Sequence, residues 1–329
     1  MLRIFVHESL SAGAAAVPGG PDRELLAAGV AMRNAIVEDL ARLDGVAVTC
    51  AVGAACGASP GWQAANVATA AARPGEPAQA FVARMAAVHE LCWIVAPETG
   101  GELARLHAAV GDARWIGCDA GAIRCAASKR ATLAVLAAAG VPTPLGAGAS
   151  PGGRWLVKPD DGAGCLGTRL HADRAAAQTA AALLRMRGDL VVLEPFVEGE
   201  ALSVSLIVGA DLAEPVSFNR QRIVVDSAGW LYDAGVQAGA LDAACDPRVP
   251  RLAAAAAAAV RALPGLGGFV GIDMVWNDER GAVVIEINPR VTCAYVGASA
   301  RLGRNLAADV LRAKGIRATN RVSRDGVRA

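Results

Sequence analysis

The chain has 329 residues, enough for two or three domains and a substantial buried core. Its 32 Lys and Arg nearly cancel its 31 Asp and Glu, leaving a formal charge of +1, so charge balance gives no reason to expect a nucleic-acid partner. Apolar residues make up 54% of the chain, much of it alanine, but no run approaches the roughly 18–20 residues of a membrane span. The longest candidate, Ala253–Ala259, is bracketed by Arg251 and Arg261 and reads as a helix of the strongest helix former. No membrane partner is expected.

Residues 1–10 lack the basic start, apolar middle and small-residue cleavage site of a secretory signal, so a cytoplasmic protein is expected. The eight cysteines form no C-x-x-C pair and none lies at metal-ligand spacing from a histidine. They read as small buried hydrophobes in a reducing compartment.

In chain order, residues 2–6 read as a buried strand and 23–43 as a helix with apolar positions at helical spacing. Residues 46–52 read as a strand and 79–91 as a helix. The continuous apolar run 91–97 suits a strand buried on both faces. A helix over 101–110 and a short strand over 113–118 complete an alternating pattern, which implies a parallel sheet in an α/β domain over 1–118. A connecting helix, 128–140, ends at Gly140 and the prolines that follow it. Beyond it, strands over 154–159, 191–197 and 201–209 surround a glycine-rich loop. A hairpin turning at Ser227–Gly229, the alanine helix, and a second hairpin turning at 277–281 follow. Such pairs suggest antiparallel sheets with helices on one face, an α+β arrangement. The basic tail from Arg312 reads as a frayed end.

The second hairpin carries the clearest chemistry. Glu286 and Asn288 are two apart in a strand and point the same way, and Asp273 joins them if the hairpin pairs as its turn suggests. Two carboxylates and an amide oxygen make a hard, all-oxygen site suited to magnesium; three edge-strand polar residues are the plain alternative. Lys158 ends a strand just before a loop whose Gly162, Gly164 and Gly167 let backbone amides approach an anion. That loop fits neither the P-loop nor the dinucleotide pattern. Glu194 and Glu200 flank an apolar strand end able to read the edge of an adenine ring.

Taken in order, Lys129, Lys158 with its loop, E-P-F-V-E-G-E at 194–200, Asp273 and E-I-N-P-R at 286–290 resemble the motif set of the ATP-grasp superfamily. The resemblance implies an N-terminal Rossmann-like, pre-ATP-grasp domain (1–118), a small lid subdomain (119–192) and a large subdomain with the metal site (193–329). It implies ATP and two Mg2+ ions as cofactors, with Mn2+ a substitute. Lys129 and Lys158 would bind the α- and β-phosphates, and the loop from Asp161 to Gly167 would close over the triphosphate. Glu194, the Pro195 carbonyl and the Val197 amide would hold adenine, with Glu200 on the ribose. Asp273, Glu286 and Asn288 would bind the metal ions, and Arg290 would face the transferring phosphoryl group. By the same analogy a homodimer is expected. Cys165 then reads as a small loop residue whose amide matters more than its sulfur.

The substrate must be read from what the superfamily does not share. D-Alanine–D-alanine ligases have an arginine where this chain has Gly271. Arg220 and Arg222 would share a strand face and could clamp substrate carboxylates or an acyl-phosphate; a solvated strand face is the alternative. Residues 5–13, 94–103 and 218–221, with the glycine loop, resemble the tyramine–L-glutamate ligase family of methanofuran biosynthesis and its methylofuran-pathway relatives. That resemblance implies activation of the glutamate γ-carboxylate as an acyl-phosphate and its capture by tyramine or tyrosine. Glu8, Ser9, Glu98 and Thr99 lie at strand ends, where open parallel sheets place ligands, and are substrate-contact candidates. Their plain roles are a helix N-cap for Ser9 and a cap of the following helix for Glu98. Rival readings are another ligase of the superfamily with a different amine, a non-catalytic ATP-binding sensor, and, on the α/β start alone, an NAD-dependent oxidoreductase.

Overall fold

A computed structural model describes residues 1–320 apart from 14–22, 54–55, 57–61, 63–64, 146–152 and 163; residues 321–329 lie outside it. The first sheet contains β1 (Leu2–Glu8), β2 (Val46–Ala51), β3 (Val67–Ala70), β4 (Leu91–Val95) and β5 (Trp115–Ile116). They are parallel, in the order β3-β2-β1-β4-β5. Alternate residues of β1 feed two cores. Ile4 and Val6 pack with Met32, Ile36 and Leu40 of α1 (Arg23–Ala41), whereas Phe5 packs with Phe81 of α2 (Ala78–Ala86) and Leu103 of α3 (Glu102–Val110). Helices on both faces are the reason β4 is apolar at every position. The strand order reverses between β1 and β4, so their carboxyl ends, with Glu8, Ser9 and the 96–101 turn, border the crevice where such sheets take ligands.

Two capped helices lead out of this sheet. Asp119 accepts from the Ala122 amide (2.7 Å) to start α4 (Ala120–Ala126), and Ser128 accepts from Ala131 (3.1 Å) to start α5 (Lys129–Ala138). Gly140, at φ +74°, ends α5 in the left-handed region that favours glycine. A small antiparallel sheet follows, β7-β6-β8, made of β6 (Trp155–Pro159), β7 (Arg169–His171) and β8 (Val191–Pro195). Ala177 and Ala181 of α6 (Arg174–Met186) cover its Trp155 and Val157. Because β8 pairs with β6, the subdomain boundary expected after residue 192 cuts through a strand of the small sheet.

The large sheet is antiparallel, β11-β10-β9-β12-β13. It comprises β9 (Glu200–Gly209), β10 (Leu212–Val225), β11 (Leu231–Gln237), β12 (Gly268–Asn277) and β13 (Gly281–Asn288). Both expected hairpins form, pairing Val225 with Leu231 and Asn277 with Gly281. The expectation of helices on one face does not hold. Leu202, Val204 and Leu206 pack on α7 (Val249–Ala262), while Ile207 and Phe269 meet Tyr295 and α9 (Leu306–Ala313) on the other side. The apolar run of β9 needs cover on both faces.

The tail also differs from a frayed end as far as it is described. The Asp44 amide donates to the Thr319 carbonyl (2.8 Å) and Asn320 bridges to Leu43. Among the described residues no helix is long and apolar enough to cross a membrane.

Candidate active site

Register in the last hairpin assembles the acidic cluster. Asp273 lies opposite Glu286 and Gly271 opposite Asn288, and Asn288 Nδ2 donates to Asp273 Oδ2 at 3.1 Å. Enclosure away from bulk water, reinforced by the Glu286 charge, pushes the Asp273 carboxyl up to about 7, against hydrogen bonds from Asn288 and Gln221. Gln221 of β10 lies in the 218–221 motif, but only the sheet pairing places it on the face of Asp273. At Gly271, an ideal Cβ would lie 2.8 Å from the Thr292 methyl, so no side chain fits there without movement.

Two lysines arrive from separate elements. Lys129 opens α5, and its Nζ lies 3.2 Å from Glu286 Oε1 and donates to the Gly162 carbonyl. Asp160, just after β6, holds this helix start: its carboxylate accepts from Ser128 Oγ (2.7 Å) and the Arg130 amide (2.8 Å). It is a long-range cap with no local sequence signal. Lys158 on β6 pairs with Glu194 on β8 at 2.7 Å, both side chains almost wholly buried. The other Glu194 oxygen is buried with no hydrogen-bond partner among the described residues. Pro195 ends β8, and Val197 beyond it is buried.

The glycine loop turns through left-handed backbone at Gly164 (φ +61°), Cys165 (+62°) and Gly167 (+71°). Gly162 instead packs on Pro159, whose Cβ would be 3.2 Å from an added Cβ. Burial, with the Asp233, Glu286 and Asp273 charges, pushes the Cys165 thiol up to about 12, which opposes thiolate chemistry. Asp161 at the loop's start is held by the first domain: Thr99 Oγ1 donates to its carbonyl (3.1 Å) and the Gly100 amide to its carboxylate (2.9 Å).

Arg290, partly buried just after β13, is gripped by Glu98, which accepts from Nε at 2.9 Å and Nη2 at 3.1 Å. Glu98 makes no helix-capping hydrogen bond; α3 has Gly101 at its N-cap. Nor does Ser9 cap a helix. Its buried hydroxyl has no partner among the described residues, while the Glu8 carboxylate accepts from the Leu10 and Ser11 amides and lies against Gly29 of α1.

The structure does not bring Arg220 to the acidic cluster. Arg220 lies opposite Leu202, on the sheet face away from Asp273, which lies opposite Ser203. It pairs with Glu200, as does Arg248. Burial opposes charge on Glu200, but these two guanidiniums hold its carboxyl below the ordinary value. A ribose hydroxyl would share that carboxylate with both. Arg222 is exposed where the β10–β11 register shifts between Gln221 and Ile223, so the expected paired face of Arg220 and Arg222 is interrupted.

These residues fit the groups that the motif set implies. Glu194's unpartnered oxygen is an acceptor suited to an exocyclic amine. Asp273, on which the neighbouring Glu286 makes charge costly, forms with it a donor set that a divalent cation would relieve. Among the described residues no group of three His, Cys, Asp or Glu could hold a metal, and the set here is two carboxylates with an amide.

The architecture is that of ATP-grasp proteins. It is similar to an ATP-grasp superfamily protein from Archaeoglobus fulgidus (TM-score 0.67, 21% identity, 97% of this chain and 90% of that one). It also matches a D-alanine–D-alanine ligase from Bacillus anthracis (TM-score 0.62, 15% identity, 95% and 96%) and an L-amino acid ligase from Bacillus licheniformis (TM-score 0.64, 17%, 95% and 73%). The ATP-grasp domain model matches residues 126–294 and the pre-ATP-grasp 3 domain model residues 48–123. The chain belongs to the ATP-grasp family. Over 107 residues it is 36% identical to the tyramine–L-glutamate ligase of Methanocaldococcus fervens, 32% of each chain. It is 34% identical to that of Methanocaldococcus jannaschii over 107 residues, 32% of this chain and 31% of that one. The matched segment thus spans about a third of these relatives.

Proposed function

We propose that this protein is an ATP-dependent carboxylate–amine ligase acting through an acyl-phosphate, with the γ-carboxylate of L-glutamate as acid and tyramine or tyrosine as amine. The observation that carries the ligase reading is the convergence of Lys129, Glu286, Asp273 and Asn288, with Arg290 two residues beyond Asn288 at the end of the same strand. Phosphoryl transfer needs charge neutralised and reactants aligned more than covalent help from protein.

In the first step a carboxylate oxygen of the acid attacks the γ-phosphorus, and the bond to the β–γ bridging oxygen breaks, releasing ADP. In the second the amine nitrogen attacks the acyl carbon, the carbon–oxygen bond to phosphate breaks, and the nitrogen gives up a proton as the amide forms. Lys129 and Lys158 would neutralise the triphosphate, and Glu194 would accept from adenine. Arg290 would meet the charge developing on the transferred group. Asp273, Glu286 and Asn288 would hold magnesium, which supplies charge neutralisation to the phosphate oxygens. The glycine loop would exclude water from the acyl-phosphate.

The glutamate and tyramine assignment is supported by the two curated relatives. Arg220, committed to Glu200, lends it no support. Phosphate release screened over pairs of acids and amines tests both levels. Release with glutamate plus tyramine or tyrosine is expected; release only with another pair would leave a ligase of different specificity. Tight ATP binding without turnover on any pair would overturn the ligase reading itself.

A further inference from the structure

One short turn of the first domain touches both working parts of the site. Glu98 binds Arg290 through both carboxylate oxygens, in a fork that fixes the plane of the guanidinium as well as its charge. The next two residues, Thr99 and Gly100, hold Asp161, the first residue of the glycine loop. Gly100 and Gly101 both lie in the left-handed region, at φ +61° and +71°, which folds the chain back tightly enough for adjacent residues to serve two partners. Arg290 is 192 residues away along the chain from Glu98, and Asp161 is 61 residues from Gly100.

Glu98 is badly placed to bind substrate directly. Its side chain is only 6% exposed and both of its oxygens are engaged. Releasing Arg290 to take an ammonium group would leave a buried cation unpaired. The fork uses Nε–H and one hydrogen of Nη2, and a long contact from Nη1 reaches the Val291 carbonyl (3.4 Å). The remaining hydrogens on Nη1 and Nη2 are therefore presented in a direction that Glu98 sets.

We propose that Glu98 is a positioning residue for Arg290 and that the 98–101 turn also docks the start of the glycine loop at Asp161, so that one turn of the first domain anchors both parts of the site. The proposal rests on the phosphoryl-transfer reading of the site. It predicts that the first domain contributes to catalysis without touching the nucleotide.

The test uses the full-length protein in two arms. In the first, Glu98→Gln is expected to lower kcat about 30- to 300-fold with KM for ATP within about threefold, because binding groups are intact while a group aimed at the transition state is not. In an Arg290→Ala background the same change should add less than about twofold, since it acts through the arginine. Glu98→Asp, which keeps the charge on a shorter stem, should recover part of the rate and guards against a misfolded Gln variant. In the second arm, Thr99→Val removes only the hydroxyl. Hydrogen exchange of amides 161–167, measured with Mg2+ and a non-hydrolysable ATP analogue, should quicken about three- to tenfold while analogue affinity stays within about threefold. A raised KM for the acid at unchanged kcat in Glu98→Gln would make Glu98 a substrate contact and overturn the positioning role. Additive losses in the Arg290→Ala background would do the same, and unchanged loop exchange in Thr99→Val would overturn the dock. The exchange arm needs neither acid nor amine, so its outcome stands apart from the ligase assignment.

Discussion

Two clusters of charge lie on opposite faces of the large sheet, and one is neutralised within the chain while the other is not. Around Glu200 the charges balance, two guanidiniums (Arg220 and Arg248) against two carboxylates (Glu200 and Asp246, the latter 2.6 Å from Arg248), and Glu200 is held below its ordinary pKa. In the second cluster no salt bridge reaches Asp273 itself among the described residues, Lys129 pairing with Glu286 instead, and Asp273 is pushed up to about 7. The first cluster is complete within the chain, as a structural network is. The second carries an electrostatic cost that a bound cation would remove, and such imbalance marks a site rather than a strut.

The largest effect should come from Glu286→Gln. Substrate-dependent phosphate release should fall by several kcal/mol of barrier through loss of a metal-ligand charge. The melting temperature of the metal-free protein should meanwhile change little, because relief of repulsion on Asp273 is offset by loss of the Lys129 ion pair. Near-native turnover would sink the contrast between the clusters. Lys158→Met should act on stability instead, since it strands the buried Glu194 carboxylate; a cost of about 3–5 kcal/mol in urea unfolding is expected. Glu194→Gln added to it should restore much of the loss, and no recovery would mean that packing rather than charge is at stake.

A smaller effect separates the clusters by pH. Asp273's folded pKa is raised from 3.8 to about 7, so its protonated form favours the folded state. That contribution is fully present below about pH 4 and lost as pH rises through 7, of the order of 2–4 kcal/mol. Metal-free wild type should therefore lose stability across this window relative to Asp273→Asn, and Mg2+ added near pH 7 should release protons. Equal pH slopes for the two proteins would show that Asp273 ionises normally. The smallest change is expected from Arg220→Ala, whose half-exposed ion pair is worth about 0–1 kcal/mol. KM for the acid substrate should stay within about twofold; a large rise would return Arg220 to the substrate site.

Much of the fold was legible because its signals are local. The apolar run of β4, the helical spacing of α1 and the turns of both hairpins each lie within a short window. The short β3 and β7, the buried-alanine helix α6 and the last helix α9 escaped, since their apolar stripes are brief or made of alanine. Asp273, Glu286 and Asn288 could be grouped because a hairpin with a short turn has one obvious register. The face of Arg220 could not be read in the same way, because alternation says which residues share a face but not which face meets the site.

The sequence by itself determined the family, the candidate residues for phosphate and metal, and the sheets on which they lie, since those follow from residue type, order and strand alternation. Only the tertiary structure decided their partners. Lys129 meets Glu286, Asp160 caps α5 from the end of β6, Glu200 is claimed by Arg220 and Arg248, and Glu98 grips Arg290 across the domain boundary. Each joins segments whose approach depends on how sheets and helices pack, and a carboxylate's partner is whichever buried cation that packing brings within hydrogen-bond distance.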